Sequence, residues 1–318
     1  MNINSNMMKK FLTAVAAFAF SAAILSAQDL SQATELYNNG ATALTTNDYV
    51  TALDNFQKAL EMGKAIGADA DELVANCKNA IPGVALQIAK DLIQDSKYDE
   101  AKAKIEDAIK LATEFENEEV LGQAKELVPV MFQKKGAEAL KIKDFEGAAA
   151  AFKESYAADT ANGKTALTLG QIYGSLGKTD EAIDILQHAA WNGQEAAAKV
   201  QAGKIFVKEA NAALKAKKYA DAIAAADKAN SYKEDATAYL IAGQAAQKLS
   251  KNDVAIENFT KYLGLKPNAS NASAITYTVA ALYQGAKNNA KALEFYNKIK
   301  DDPKFGAQAK QQITALSK

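Results

Sequence analysis

The chain has 318 residues, of which 49% are hydrophobic and 24% charged, and its formal net charge is −1. All 37 basic residues are lysine, so the guanidinium fork that reads phosphates and guanine edges is missing, and we expect no nucleic-acid partner. One histidine and one cysteine provide no disulfide, no metal-ligand cluster and no nucleophile–base pair, so we expect no enzyme activity, cofactor or metal.

Residues 1–27 have the pattern of a bacterial secretory signal peptide. Lys9 and Lys10 precede an apolar stretch from Phe11 to Leu25, and cleavage is expected after Ala27. The stretch is shorter than the ~20 residues that a membrane span needs; an uncleaved N-terminal anchor is the alternative. The sequence therefore predicts an exported chain, periplasmic or secreted, without a membrane span after cleavage.

Residues 28–303 contain one helical pattern seven times. Each copy has an Ala three residues after the expected start of a helix, at Ala52, Ala101, Ala148, Ala182, Ala222, Ala255 and Ala292. Twelve residues earlier stands another small residue, at Gly40, Ala89, Gly136, Gly170, Ala210, Gly243 and Ala280. Because small residues let two helices approach closely, the pattern predicts seven hairpins of packed helices.

The spacing of the seven alanines is uneven. Successive intervals are 49, 47, 34, 40, 33 and 37 residues. The first two predict lengthened or kinked first helices in the second and third hairpins, where Pro82 and Pro129 occupy similar places. Residues 304–318 are predicted to form a C-terminal capping helix.

This pattern resembles the tetratricopeptide repeat, TPR, which combines a small residue in the first helix with an Ala and an aromatic residue in the second. The resemblance covers about residues 31–303. Pro267 and Pro303 lie where this family often closes a repeat, but the family's Trp near the start of each first helix is absent. The resemblance implies an all-α, right-handed superhelical solenoid of about seven helix-turn-helix hairpins.

In the TPR family the partner usually binds the concave side, which the first helices line. Carrying this register over gives nine groove candidates: Tyr37, Lys90, Gln133, Gln171, Asn211, Gln244, Gln247, Tyr277 and Gln284. Amides both donate and accept hydrogen bonds, which suits a peptide backbone; contacts with the next repeat are the alternative role. The resemblance implies a non-enzymatic scaffold or adaptor for envelope or secreted proteins of unknown identity, or alternatively a self-assembling structural component of the envelope.

Two further features carry weaker expectations. Trp191, close to His188, is expected in the core of an inter-repeat joint, with a partner anchor as the alternative. Thr160, within Asp159-Thr160-Ala161, resembles the Asp-Thr-aliphatic acceptor for O-glycosylation of exported proteins, although chance would also produce it.

Charge is unevenly divided along the chain. Residues 28–160 hold 24 acids and 14 Lys, a net charge of −10, whereas residues 161–318 hold 14 acids and 21 Lys, a net charge of +7. This division favours different partners at the two ends or head-to-tail self-association at low salt. The alternative is that the charges of solvent-exposed residues have drifted without a functional consequence.

Overall fold

The computed structural model describes residues 26–317, and all regular secondary structure in this range is helical. The all-α prediction is therefore confirmed. The helices are α1 Ser26–Thr45, α2 Tyr49–Ile66, α3 Asp71–Gln94, α4 Tyr98–Glu114, α5 Glu118–Lys141, α6 Phe145–Ala158, α7 Gly163–Leu176, α8 Thr179–Ala189, α9 Glu195–Lys215, α10 Tyr219–Tyr232, α11 Ala236–Lys248, α12 Asn252–Leu265, α13 Ala272–Gly285, α14 Asn289–Lys298 and α15 Gly306–Leu316. A 3₁₀ turn spans Ala68–Ala70, and a π-helical turn spans Ala190–Gln194, where Asn192 and Gly193 have non-helical backbone angles and kink the chain.

The predicted signal peptide lies outside the described residues, except for its last two positions. Among residues 26–317, no helix is both long enough and apolar enough to cross a membrane.

The hairpin register predicted from the alanine spacing is confirmed. The second helix of every hairpin begins three residues before the repeated Ala, and all seven of these alanines are fully buried. Each first helix ends in a tight turn whose left-handed residue stands two positions before the second helix. These residues are Asn47, Ser96, Lys143, Gly177, Lys217, Ser250 and Lys287, with φ between 57° and 77°.

Four of the small residues at the helix crossings are glycines, and each faces the large side chain four residues after the repeated Ala. A Cβ placed on Gly40, Gly136, Gly170 or Gly243 would come within 2.6–2.9 Å of a side-chain carbon of Phe56, Phe152, Leu186 or Phe259, respectively. The two helices of a hairpin therefore approach as closely as they do because these positions lack a Cβ.

The extra residues of the early repeats lengthen their first helices. Both α3 and α5 run for 24 residues and contain an internal proline, Pro82 and Pro129. A buried contact fixes the second of these helices: the Ser155 hydroxyl donates to the Pro129 carbonyl oxygen at 3.0 Å. Both prolines are buried, so the added helical turns contribute to the core.

The helices divide into two compact units that meet in sequence between Thr160 and Ala161. The first unit contains α1–α6 and the second contains α7–α15. In the second unit, α15 packs its fully buried Ala309 into the cluster formed by Phe295 and Tyr296 of the last hairpin. The handedness implied by the TPR resemblance stays a prediction.

Candidate peptide-binding face

The first helices of the second unit carry two parallel rows of side chains. Gln171, Asn211 and Gln244 each directly follow the buried small residue of their helix, and all three are exposed. Four residues before each amide stands a partly buried apolar side chain, at Leu167, Val207 and Leu240. Residues four apart lie on the same helical face, so each helix presents one apolar and one amide group side by side.

Adjacent helices bring these rows together. Helix α7 contacts α9, and α9 contacts α11, so equivalent positions repeat across three neighbouring helices. Gln247 extends the amide row by one turn of α11 and is also exposed. We call this surface the amide–aliphatic face; it consists of Leu167, Gln171, Val207, Asn211, Leu240, Gln244 and Gln247.

The border of the face is basic, and hydrogen bonds from a lysine of α9 connect α9 to α7. Lys164 and Lys204 stand seven residues before Gln171 and Asn211 and are exposed. Lys208 donates from Nζ to the carbonyl oxygens of Gly174 and Ser175, at 3.3 and 3.4 Å. These bonds attach α9 to the C-terminal end of α7, where the helix carbonyls attract a cation.

Two of the predicted groove residues in the last hairpin are engaged within the protein. The Tyr277 ring lies 5.3 Å from the Tyr296 ring and 5.9 Å from the Phe305 ring. Gln284 accepts a hydrogen bond from the Tyr296 hydroxyl at 2.8 Å and donates to Gln312 Oε1 at 3.1 Å. Both side chains therefore connect α13 to its partner helix α14 and to the C-terminal segment that contains α15.

The first unit does not present the same rows. Tyr37 is only 4% exposed and its ring lies 5.2 Å from Phe56, so this groove candidate belongs to the core. The reason is the lengthened α3, whose Cys77 and Ile81 share one apolar cluster with Tyr37. Burial also raises the pKa of the Cys77 thiol to about 12.

The remaining candidates of the first unit are less accessible than the amides of the second. Lys90 is half-buried, and desolvation lowers the pKa of its ammonium group. Gln133 is also half-buried. Thr160 is exposed at the boundary of the two units, and its modification stays a prediction.

Trp191 is the main functional candidate that sequence reasoning misplaced. It is 69% exposed on the π-helical turn and does not lie in the core. The 40-residue interval between Ala182 and Ala222 was the available signal, because it exceeds a 34-residue repeat by six residues, and the turn and the lengthened α9 lie within it.

Within residues 26–317, no group of three or more His, Cys, Asp or Glu side chains is arranged to hold a metal ion. What the second unit offers is a set of exposed amides, partly buried aliphatic side chains and lysines on adjacent helices. Such a surface can bind and orient a peptide by backbone hydrogen bonds and side-chain burial.

The fold and this face define a helical-repeat protein built of TPR-like hairpins.

No family model matches the chain, and no curated protein sequence matches it. Among solved structures, the crystal structure of the MamA protein is 23% identical, covering 57% of this chain and 94% of that one, with a TM-score of 0.37. MamA from Desulfovibrio magneticus RS-1 is 17% identical, covering 54% and 92%, with a TM-score of 0.34. YrrB, described as a TPR protein with an unusual peptide-binding site, is 19% identical, covering 57% and 92%, with a TM-score of 0.34. With scores this low, the fold assignment rests on the helix register.

Proposed function

We propose that this chain is an exported, non-enzymatic scaffold that binds a segment of another protein across the amide–aliphatic face. The observation that supports it most is the repetition of an exposed amide beside a partly buried apolar side chain on three adjacent helices. The amides match the donors and acceptors of a peptide backbone, and the apolar row buries side chains of the bound segment. The pattern of residues 1–27 supports export to the periplasm or beyond the cell.

Lys164 and Lys204 at the border favour a segment that carries acidic residues. Their ammonium groups are solvated, so they contribute more to the association rate and its salt dependence than to affinity. The amide row then sets the register of the bound segment.

The test begins with crosslinking in the cell from a photoreactive residue placed at Asn211, followed by titration of each recovered partner. The triple variant Gln171→Ala, Asn211→Ala, Gln244→Ala should weaken binding by on the order of tenfold or more, because each lost interfacial hydrogen bond contributes about 0.5–1.5 kcal/mol. Exposed polar substitutions should leave stability within about 0.5 kcal/mol.

A matched control replaces three exposed amides outside the face, Gln57, Gln308 and Gln311, with Ala. It should bind as the parent chain does. Equal affinity of the triple variant and the parent would contradict the assignment of this face. Export is tested separately, by the intact mass of the chain recovered from the periplasm: a first residue other than Gln28 would contradict the cleavage site.

A further inference from the structure

The surface around Trp191 is built by residues that the repeat pattern does not require. Gly170 is the eighth residue of α7, whereas Ala210, at the same register, is the sixteenth residue of α9. Helix α9 therefore has eight additional residues at its start, Glu195–Ala202, and the π-helical turn precedes them. Extra residues in repeat arrays frequently serve a binding surface.

These additional residues form one wall of a pocket of about 370 Å³. We call it the Trp191 pocket; the residues that define it are Ile183, Leu186, Trp191, Ala198, Ala202 and Tyr232. Its rim carries Glu195 and Lys199, whose side chains form an ion pair at 2.6 Å. Since these two charges cancel, the pocket fits an uncharged apolar group.

Contacts within the chain hold the turn that carries Trp191. Asn192 donates from Nδ2 to the His188 carbonyl oxygen at 2.9 Å, and the Trp191 ring meets the His188 ring edge-on at 5.1 Å. Gly163 lies so close beneath the turn that a Cβ there would come within 2.2 Å of the Asn192 carbonyl oxygen. A large exposed aromatic side chain on a fixed turn is the kind of residue that anchors interfaces.

This pocket is separate from the amide–aliphatic face. Ala202 lies nine residues before Asn211 in the same helix, and at about 100° per residue this places the two on opposite sides of α9. A ligand of one surface therefore does not occupy the other.

The first unit presents a matching apolar projection. Ile142, 78% exposed, is the most exposed large apolar side chain among the described residues, and Phe145 is exposed on the same hairpin turn. The turn is held by Asp144, whose Oδ1 accepts from the Gly147 amide at 2.9 Å. We call Ile142–Phe145 the hairpin tip. Lys143 and Asp144 within it cancel in charge, as do the two rim residues of the pocket.

The charges of the two units favour contact between copies. The boundary between the compact units coincides with the change in sign along the sequence, from −10 over residues 28–160 to +7 over residues 161–318. Opposite net charges steer the first unit of one molecule towards the second unit of another. The neutral tip and the neutral pocket then meet without burying an unpaired charge.

From these observations we infer that the Trp191 pocket binds the hairpin tip of a second copy of this chain. The contact is heterologous, so each molecule in a dimer retains one unused tip or pocket, and assembly continues as an open filament unless it closes into a ring. This self-association is independent of the proposed peptide binding, since it uses the other side of α9.

Trp191 is the only tryptophan, so its fluorescence reports directly on the pocket. Sedimentation velocity and Trp191 emission of the purified chain are measured over a concentration series at low and high salt. We expect concentration-dependent association, an emission shift to shorter wavelength as the pocket fills, and weaker association at high salt. A monomer at every concentration, or association without a change in Trp191 emission or quenching by acrylamide, would overturn the inference.

Two variants locate the contact. Ile142→Lys should weaken association on the order of tenfold or more, because a charge would have to enter the apolar pocket. The matched control Val50→Lys changes another side chain of the first unit that is 68% exposed but lies outside the tip, and it should associate as the parent does. Equal weakening by both variants would assign the effect to net charge and contradict the tip.

Complementation decides whether the contact is heterologous. The Ile142→Lys chain retains an intact pocket, and a Trp191→Ala chain retains an intact tip. At a concentration at which the parent associates, each variant alone should be largely monomeric, while a mixture forms a dimer and no longer species. Circular dichroism confirms that both variants are folded. If the parent associates but the mixture stays monomeric, the two surfaces do not bind each other.

Discussion

Gly136 of α5 lies directly against the ring of Phe152 in α6: a Cβ on Gly136 would stand 2.6 Å from the Phe152 Cδ2 atom. The same relationship links Gly40 to Phe56 and Gly243 to Phe259. This contact lets the two helices of each hairpin pack closely against each other.

Gly136→Ala should destabilise the protein by about 1–3 kcal/mol, because the added methyl group forces the Phe152 ring or the backbone to move. Gly122 is a matched control in the same helix, since a Cβ there meets nothing within 4 Å. Gly122→Ala should stabilise the protein by about 0.5–1 kcal/mol through helix propensity. Urea denaturation of both variants measures the difference; a loss of stability in both would contradict the open site at Gly122.

The turns between paired helices allow a test in which two substitutions at equivalent positions change the stability of the protein in different directions. Gly177 and Lys217 occupy equivalent positions, with φ of 77° and 60°. A left-handed conformation costs a residue with a Cβ about 1 kcal/mol, so Gly177→Ala should destabilise the chain by about that amount. Lys217→Gly relieves the same strain and should be neutral or stabilising. Thermal and denaturant midpoints that fall equally for both variants would contradict the equivalence of the two turns.

The buried hydroxyl of Ser155 should contribute to the stability of the first unit. Its hydrogen bond to the Pro129 carbonyl joins α6 to the proline-containing part of α5, and Ser155→Ala should cost about 1 kcal/mol. Ser175→Ala is the control, because that exposed hydroxyl bonds only to Gln171 of its own helix. The Ser175→Ala substitution should change the free energy of unfolding by no more than about 0.5 kcal/mol. Equal denaturant midpoints for the two variants would contradict a stabilising role of the interhelical hydrogen bond.

Alkaline pH should destabilise the protein. Burial raises the pKa of the Cys77 thiol from about 9 to about 12, and burial raises that of the Tyr296 hydroxyl from 10.0 to about 12. Both groups stay protonated in the folded state while they ionise in the unfolded state, so the stability they contribute is present below pH 9 and is lost between about pH 9 and 12. Each group contributes a slope of about 1.4 kcal/mol per pH unit once it is ionised in the unfolded chain.

The measurement is the free energy of unfolding between pH 8 and 11.5 for the parent, Cys77→Ala and Tyr296→Phe. Both substitutions lower stability at pH 8 through packing or the lost Gln284 hydrogen bond, so the informative quantity is the slope. Each variant should show a shallower slope than the parent. Parallel curves for all three chains would contradict the pKa assignment.

The helices of this protein follow from local sequence rules. The starts of all second helices could be read from the position of one Ala, because an Ala that lies at a helix crossing must recur at a fixed distance from the start of its helix. The long α3 and α5 were also visible in the sequence as the extra residues around Pro82 and Pro129.

The candidate site was only partly visible. Gln171, Asn211 and Gln244 could be identified because they follow the crossing residue by one position, which is a local relationship. Tyr37 occupies a related register but is buried, since the first half of α3 packs over it, and that packing depends on residues distant in sequence.

By itself, the sequence determined the helix type, the hairpin register and the change in sign of charge along the chain, because these depend on spacing and composition. Only the tertiary structure decided which surfaces are accessible: it buried Tyr37, engaged Gln284 with Tyr296 and Gln312, and exposed Trp191 on a π-helical turn. The physical reason is that helix formation depends on neighbouring residues, whereas burial depends on which helices pack over a position, and inserted residues change that packing without changing the repeat.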